Sequence, residues 1–415
     1  MNHIVGQINP QDHHVSIWGA GISGLILAYY LKKSGYRITI YEKSDRIGGK
    51  IQSTQTPFGL VENAANALFL NSDGLEFLRE LKLEPITATK NLKRLIFQKN
   101  SPRSPLNLKF IFKIISGLNK RPPLITDGLS MADFFRSLLG DENINDTLTP
   151  AMSGLYAIPA DKLHFKSVFP HVGQISQFKT YWDFIKHVKA QRSKFLKTDP
   201  QGSVTFEGGM QGLINRLADI LHKDVILNYQ GPLKFSGNTI ICTDAQTAAE
   251  LLENNLPLIS AELKKIQYQP ISTTTVFYKR EIKSLKKAFG VLIPREANLH
   301  SIGVLNNKAI FPTNYPNSIP YTFISLEELD TNQINSDLKK LNQHHTDEDI
   351  EHVEMKLWQR GLPLYDVKRY LAIRKLHDIF QGHQQLALFG NYVAGISLRE
   401  MISAAKNFAA LYKKL

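Results

Sequence analysis

The chain has 415 residues, which allows two or three domains with a sizeable core. Hydrophobic residues make up 43% and charged residues 21%, a globular balance that excludes a largely disordered protein. Lys and Arg outnumber Asp and Glu by 50 to 37, and the resulting net charge of +13 favours an acidic partner, such as nucleic acid, anionic lipid or a carboxylated or phosphorylated ligand.

Cys242 is the single cysteine, so an internal disulfide and a thiolate metal site are both excluded, and a reducing compartment is favoured. The first fourteen residues are polar and lack the pattern of a signal peptide. No run of 18 apolar residues occurs, so no membrane-spanning helix is predicted. We therefore expect a cytoplasmic protein that could rest on the inner face of a membrane.

The first fifty residues predict a β-turn-α-turn-β unit. Residues 15–18 form an apolar run typical of a buried strand, residues 22–33 have apolar side chains at helical spacing, and residues 37–41 alternate as a second strand. Such a unit of about thirty residues opens a doubly wound nucleotide-binding sheet.

The turn at residues 19–24 reads Gly-Ala-Gly-Ile-Ser-Gly and fits G-x-G-x-x-G between the strand and the helix. Its glycines permit the tight turn, the approach of the backbone to a diphosphate and close helix packing. Glu42 ends the second strand, where a carboxylate accepts from ribose hydroxyls and disfavours the 2′-phosphate of NADP. The cofactor contacts expected here are Gly19, Gly21, Ile22, Ser23, Gly24, Glu42 and Lys43.

A second glycine pair follows directly, in Arg46-Ile47-Gly48-Gly49-Lys50-Ile51. With it the sequence resembles the FAD family that contains amine oxidases, phytoene desaturases and protoporphyrinogen oxidases, in which an R-x-G-G motif lies along the FAD diphosphate. The resemblance implies an FAD site that includes Arg46, Gly48, Gly49, Lys50 and Ile51. No His or Cys lies in these motifs to form a covalent link, so we expect non-covalent FAD.

Later segments resemble protoporphyrinogen oxidases in the family's own order: residues 153–157, 206–213, 289–294, 363–365 and 390–397. This resemblance implies flavin contacts at Gly390, Asn391, Ile396 and Ser397. It also implies an adenine contact from a backbone amide near Pro232; since proline has no N–H, Leu233 is the expected donor.

The chain departs from the family at three places. Asn63-Ala64-Ala65-Asn66 replaces a Gly-Pro beside the flavin, and Lys368-Arg369 replaces a Gly-His pair. The β-meander under the adenine is cut to a stub at residues 229–233. These departures weaken the inference about the substrate more than the inference about the cofactor.

The resulting fold class is α/β, with a Rossmann-type FAD-binding domain, an antiparallel-sheet substrate domain and a mostly helical insertion. The FAD-binding domain is expected in three parts, at residues 1–85, 201–255 and 376–415. The substrate domain is expected to take a strand from residues 86–102 and the segment 256–375. Residues 103–200 form the predicted insertion.

The resemblance implies an oxidoreductase in which a substrate hydride passes to flavin N5 and the flavin is reoxidised by O2 or another acceptor. The substrate it implies is a porphyrinogen, with Arg94 pairing with a propionate and Asn63 and Asn66 beside the reacting centre. A solvated Arg94 is the alternative. Two other functions stay open, an amine oxidase or desaturase of the same fold and a non-catalytic flavin or porphyrin carrier.

Residues 106–120 alternate apolar side chains with lysines, so the segment either dips into an anionic bilayer or forms a core helix whose lysines reach the surface. The histidine pairs at 13–14 and 344–345 are interpreted as solvated, and Cys242 as a small core residue. No nucleic-acid motif accompanies the basic charge, so no nucleic-acid partner is expected.

Overall fold

The computed structural model describes residues 4–105, 108–172, 175–193, 202–235, 237–341 and 345–413. Its strands, in chain order, are β1 (Val5–Gly6), β2 (His14–Trp18), β3 (Arg37–Tyr41), β4 (Ser53–Thr56), β5 (Gly59–Glu62), β6 (Leu68–Phe69), β7 (Ile86–Thr87), β8 (Lys93–Gln98), β9 (Ser101–Arg103), β10 (Ser203–Thr205), β11 (Val225–Ile226), β12 (Asn238–Ile241), β13 (Tyr268–Tyr278), β14 (Ala288–Leu292), β15 (Ser301–Asn306), β16 (Pro320–Ser325), β17 (Ile350–Pro363) and β18 (Leu386–Leu388). Its α-helices are α1 (Ile22–Lys33), α2 (Ser72–Leu81), α3 (Leu108–Gly117), α4 (Met131–Asn143), α5 (Thr149–Tyr156), α6 (Phe165–Val168), α7 (Tyr181–Ser193), α8 (Gln211–Leu221), α9 (Ala245–Leu252), α10 (Pro257–Leu263), α11 (Asn307–Ile310), α12 (Thr331–Lys340), α13 (Val367–Phe380) and α14 (Leu398–Leu411).

The nucleotide-binding sheet has six strands in the order β1-β18-β12-β2-β3-β11. All neighbours are parallel except β1 and β18. A parallel sheet needs crossover helices and buries both faces, which explains the near-continuous apolar runs of β2 and β12. The predicted β2-α1-β3 unit is confirmed, with α1 at its predicted bounds.

Each face of this sheet packs against its own set of helices. One face carries apolar side chains of α1, α2, α8 and α14. The opposite face packs against α9, α10 and α13, the last through Ala372, Ile373, Leu376 and Phe380. Helices α10 and α13 therefore extend the cofactor-binding part beyond the boundaries expected at 255 and 375, because the apolar stripe of α13 covers a sheet face that would otherwise meet water.

The second large sheet has seven strands in the order β17-β13-β16-β15-β14-β8-β9. Its neighbours are antiparallel except for β8 and β14, and α12 packs on one face. The segment from α3 to α7 has a separate aromatic-rich core. The expected fold class is thus confirmed, and Lys93–Gln98 is the strand that joins the second sheet from the first part of the chain.

The adenine-side hairpin is a stub, as the sequence predicts: β11 has two residues, and no strand follows it before β12 in the described part. Trp18 and Tyr41 stack with ring centroids 4.7 Å apart, and Tyr229 packs edge-on to Trp18 at 5.4 Å. Lys234 lies 5.5 Å from the Tyr229 ring centre.

Three local features complete the fold. Within the helical insertion a π-helical turn, Ile144–Leu148, directly precedes α5. His345 is buried against Tyr278 rather than solvated, and His344 lies outside the described residues. Cys242 is buried, as expected. Among the described residues, none of the helices has the length and apolarity to cross a bilayer.

Candidate functional site

Two glycine segments lie side by side at the carboxyl edge of the first sheet. Gly21 and Gly48 form a parallel bridge, and the Gly48 amide donates to Ala20 O at 2.8 Å. A Cβ on Gly49 would lie 3.0 Å from the Gly21 Cα, and Gly49 has a φ of 60°. This close approach of two backbones requires glycine. The motif at 19–24 and the motif at 46–51 therefore form one cradle.

Helix α1 begins at this cradle with its amide donors unsatisfied. Its N-cap is Gly21, and no side chain caps it, so the amides of Ile22 and Ser23 face the cradle without an intrahelical acceptor. A Cβ on Gly24 would lie 2.0 Å from Gly19 O, so only glycine lets the helix pack this closely on the turn. A helix start with free donors and a positive dipole end is a ready anion site.

Glu42 fixes the turn and presents a carboxylate at the end of β3. Its Oε2 accepts from the Ala20 amide at 2.7 Å, and its Oε1 accepts from the Ser44 amide and hydroxyl at 2.9 and 2.7 Å. A carboxylate has about four acceptor positions, so room for a ribose hydroxyl is left. Lys43 beside it is exposed, and Leu233 packs with Tyr41 at the same edge.

The residues present fit a dinucleotide diphosphate. In front of Gly21 a Cβ would meet nothing closer than Gly49 Cα at 3.9 Å, so the backbone faces open space. Donors for an anion surround that space: the uncapped start of α1, and the guanidinium of Arg46, which folds back onto the carbonyls of Ile47 and Gly49. FAD would be held here through its diphosphate.

Lys50 extends from this cradle toward the second sheet. Its Nζ donates to the carbonyls of Arg360 and Gly361, and it lies 5.6 Å from the centre of the Tyr268 ring. Burial lowers the pKa of Lys50 to about 8, although Asp244 acts in the opposite direction. A mostly buried ammonium that has only backbone acceptors suits an anionic ligand. Ile51, the next residue, is buried in the core of the cofactor domain.

The segment at residues 390–397, which is expected to contact the flavin, is held by Tyr365 and by Arg369 of α13. The Tyr365 hydroxyl donates to Asn391 O at 2.6 Å, and Arg369 Nε donates to Tyr392 O at 2.8 Å. Ser397 caps α14 and forms a capping box with Glu400. Phe389 N donates to Ile241 O, so Gly390 follows directly after the edge of the first sheet.

Glu62 joins three cofactor-side segments. Its Oε1 accepts from the Met210 amide at 2.8 Å at the start of α8, and its Oε2 accepts from the Ser53 hydroxyl at 2.7 Å on β4. Burial raises the pKa of Glu62 to about 8, while the bonds from Ser53 and Met210 lower it. The carboxyl group is therefore largely protonated at neutral pH.

The segment that departs from the family, residues 63–66, lies between the two sheets. Asn63 Nδ2 donates to Thr54 Oγ1 at 3.0 Å, and Asn63 O accepts from Trp358 Nε1 at 2.6 Å. Asn66 is half-buried. The side-chain amide of Asn63 is thus occupied within the protein, and its assignment to a substrate stays a prediction together with that of Asn66.

Arg94 is exposed on β8, and its guanidinium lies 4.9 Å from the centre of the Phe289 ring on β14. Phe289 packs against the cluster that contains Leu60 and Ala67, which flank residues 62–66. Arg94 is thereby connected through one aromatic ring to the departing segment. The assignment of Arg94 to a substrate stays a prediction.

Sequence reasoning did not find Glu62 and Arg369 as functional candidates. Arg369 stands out in the sequence only as part of the Lys368-Arg369 pair that departs from the family. The short spacing between Ser53 and Glu62, which pairs β4 with β5, is a signal that could have pointed to Glu62. No local pattern indicates that Arg369 is buried.

Comparison with known proteins agrees with this geometry. The model of an NAD(P)-binding Rossmann-like domain matches residues 17–81. Protoporphyrinogen oxidase 2 of Arabidopsis thaliana is 26% identical over 484 residues, covering 96% of this chain and 93% of that protein. Coproporphyrinogen III oxidase of Staphylococcus aureus is 32% identical over 248 residues, covering 52% of this chain and 53% of that protein.

Solved structures share the fold over nearly the whole chain. A crystal structure from Exiguobacterium, of a protein with a provisional assignment as protoporphyrinogen oxidase, has a TM-score of 0.75 at 16% identity and covers 96% of this chain and 98% of that one. Cyclohexylamine oxidase from Brevibacterium oxydans has a TM-score of 0.69 at 14% identity, with 97% and 99% covered. The chain is therefore an FAD-dependent oxidoreductase that is similar to protoporphyrinogen oxidases over nearly its whole length and shares the fold of the amine oxidases.

Proposed function

We propose that the protein oxidises a porphyrinogen, a reduced tetrapyrrole that carries carboxylate arms. The relatives named above act on protoporphyrinogen or coproporphyrinogen by their names, and the similarity to the Arabidopsis protein covers 96% of this chain. The observation that carries the proposal is the position of Arg94 on the second sheet. Its guanidinium forms no ion pair within the described residues.

Arg94 is suited to a carboxylate that belongs to a flat, apolar ligand. A guanidinium presents a rigid fork of donors, which matches a carboxylate in two parallel hydrogen bonds. The Phe289 ring under it excludes water from one face of that fork. The arm of a macrocycle could pair with Arg94 while its ring lies toward the cluster around Leu60.

The chemistry supplied by bound FAD is removal of a hydride equivalent from a substrate C–H or N–H, with the electrons passed to O2 or another acceptor. The chain's own residues position the reactants. The glycine cradle and the start of α1 would bind the diphosphate, and Tyr365 and Arg369 hold the backbone at residues 391–392, where the flavin is expected.

The experiment is the rise of porphyrin fluorescence when protein with full FAD meets a propionate-bearing porphyrinogen, corrected for oxidation in air. We expect Arg94→Ala to raise KM about ten- to a hundredfold with FAD content unchanged, since a charged hydrogen bond is worth about 1.5 to 3 kcal/mol. Arg94→Lys should recover part of this loss. Lys93→Ala is the matched control, because neighbouring side chains of a strand point to opposite faces.

Failure of the wild-type protein to exceed the background rate in air would refute the porphyrinogen assignment. A screen of amines and of isoprenoid or other desaturase substrates, read by bleaching of the flavin absorbance, would then decide between the alternatives of the same fold. If no substrate bleaches the flavin, a non-catalytic carrier is the remaining function.

We also propose that α3 contacts an anionic membrane surface. Leu108, Phe112 and Ile115 are 86%, 72% and 62% exposed and share one side of the helix, while Phe110 and Gly117 are buried. The helix is thus not a core helix. Lysines flank the apolar side chains, and Trp182 lies beside the end of the helix, where its amide donates to Leu118 O at 3.0 Å. An apolar face with basic and aromatic borders suits the lipid interface. Leu106 lies outside the described residues.

A further inference from the structure

A narrow crevice lies behind the flavin segment, between α6, α13 and residues 393–396. Its charged lining residues are Lys166, Arg369 and Glu400, and hydroxyl-bearing and apolar side chains, Tyr156 among them, form the rest. The helical insertion forms one wall and the cofactor domain the other. The crevice is separate from the glycine cradle and from Arg94.

The guanidinium of Arg369 is the central group of this crevice. Arg369 is 6% exposed, and its Cζ lies 3.7 Å from the centre of the Tyr365 ring. Nε donates to Tyr392 O at 2.8 Å, whereas Nη1 has only a long contact of 3.4 Å with the Ser167 hydroxyl. No ion pair is formed by Arg369 within the described parts of the chain. A buried guanidinium without a counter-ion is costly unless an anion pairs with it.

The acid nearest in the lining is already occupied. The Glu400 Oε2 accepts from the Ser397 hydroxyl at 2.8 Å and from the Ser397 amide at 3.2 Å, in the capping box of α14. The carboxylate is thus engaged at the start of its own helix, and it forms no ion pair with Arg369 within the described residues.

The charges around the crevice are not balanced either. Asp127 accepts from Lys166 at 2.7 Å and also pairs with Arg374. One carboxylate therefore serves two cations, and Arg369 adds a third against Glu400. His164 packs on Tyr370 at this wall and adds no further positive charge, since burial above all lowers its pKa to about 4. The charged side chains that line the crevice itself are Lys166, Arg369 and Glu400, which are two cations and one carboxylate.

We propose that this crevice binds one small carboxylate, held by the outer nitrogens of Arg369 and by Lys166. A single negative charge restores neutrality, and the fork of Arg369 matches two carboxylate oxygens. Tyr156 supplies a neutral hydroxyl donor at the same lining, since burial raises the pKa of its phenol well above the usual range. The carboxylate belongs either to a free small acid or to an arm of the substrate.

The binding would be sensed by the flavin segment. The Nε of Arg369 donates to Tyr392 O, next to Asn391. The guanidinium is planar and rigid, so a ligand bound to its outer nitrogens would act on this backbone through the same group. A bound carboxylate should therefore change the visible spectrum of FAD slightly as well as stabilise the protein. This expectation does not depend on the nature of the oxidised substrate.

The test is titration of FAD-loaded protein with sodium acetate in a carboxylate-free buffer at constant ionic strength, followed by calorimetry and by the flavin spectrum. We expect saturable binding of acetate and none of acetamide, which has the same shape without the charge. Arg369→Met should weaken acetate at least tenfold, and Arg369→Lys should weaken it less because the charge is kept. Lys368→Met removes a neighbouring exposed charge of the same helix and should leave binding unchanged.

The proposal would be overturned if the wild-type protein showed no saturable acetate binding. It would also be overturned if the Arg369→Lys variant and the Lys166→Met variant each bound acetate as tightly as the wild type. Acetamide binding as tightly as acetate would overturn it as well. The source of the carboxylate is then assigned by competition with a dicarboxylate porphyrin. If the porphyrin still displaces acetate from the Arg94→Ala variant, the crevice binds a carboxylate arm of the substrate. If porphyrin and acetate bind at the same time, the crevice binds a free small acid. Acetate binding can succeed or fail whether or not a porphyrinogen is oxidised, so the two proposals are separable.

Discussion

Replacing Glu62 with glutamine should make the protein more stable at pH 8 than the wild type, with little difference at pH 5. The Glu62 side chain is 4% exposed, and burial is the main cause that raises its pKa from 4.5 to about 8. The native protein therefore keeps this proton up to about pH 8, whereas the unfolded chain releases it near pH 4.5. Since the native state binds more protons across this window, the free energy of unfolding falls as the pH rises.

The magnitude follows from the width of the window. A rise of the pKa from 4.5 to about 8 corresponds to roughly 5 kcal/mol of stability that is present below pH 4.5 and lost by about pH 8. Glutamine is neutral at every pH and keeps an oxygen that can accept from the Met210 amide. The NH2 group of glutamine takes the place of the Oε2 atom that accepts from the Ser53 hydroxyl, and the loss of this hydrogen bond costs about 1 kcal/mol.

The assay is thermal unfolding of wild type and Glu62→Gln from pH 5 to pH 8.5, at one fixed excess of FAD because the ligand itself shifts Tm. The difference in Tm should be near zero or slightly negative at pH 5 and positive by several degrees at pH 8. Glu207→Gln changes an exposed glutamate close to Met210 and is the control. Glu62→Ala should destabilise at every pH, because it leaves the Met210 amide without its acceptor and creates a cavity. Parallel pH curves for wild type and Glu62→Gln would refute the reasoning.

Three further expectations can be checked directly. The Gly21→Leu variant should purify with little FAD, because the leucine side chain would fill the space where the diphosphate binds. The control variant Gly128→Leu should keep full FAD, since a Cβ at that position meets nothing within 4 Å. Acid precipitation of the wild-type protein should release all of the yellow colour into the supernatant, and colour left in the pellet would contradict non-covalent binding. Sedimentation with anionic liposomes should fall when Lys109 and Lys113 are both changed to Glu, and an unchanged bound fraction would refute the role of α3. Cys242 should resist thiol reagents at pH 8 until denaturant is added, because burial raises the pKa of its thiol, and rapid modification of native protein, seen by mass spectrometry, would contradict its burial.

The cofactor half of the molecule could be predicted from the amino-acid sequence because its signals are local. The glycines of residues 19–24 act within one turn, the strand before them and the helix after them have their own periodicities, and Glu42 follows at the end of the next strand. Each of these features is decided by neighbours within about thirty residues. The bounds of α1 and β3 were accordingly right to the residue.

The tertiary structure alone decided which groups are buried together. Glu62 meets Met210 across 148 positions in the chain, and Lys50 reaches Gly361 across 311. The apolar stripe of α13 could have faced either sheet, and only the open face of the first sheet settled it. The sequence around Arg369 does not show that its guanidinium is buried. In the fold it donates to Tyr392 O and forms no ion pair within the described residues. Burial and charge balance depend on contacts between distant segments, and these are the terms that give a residue its pKa and its need for a ligand.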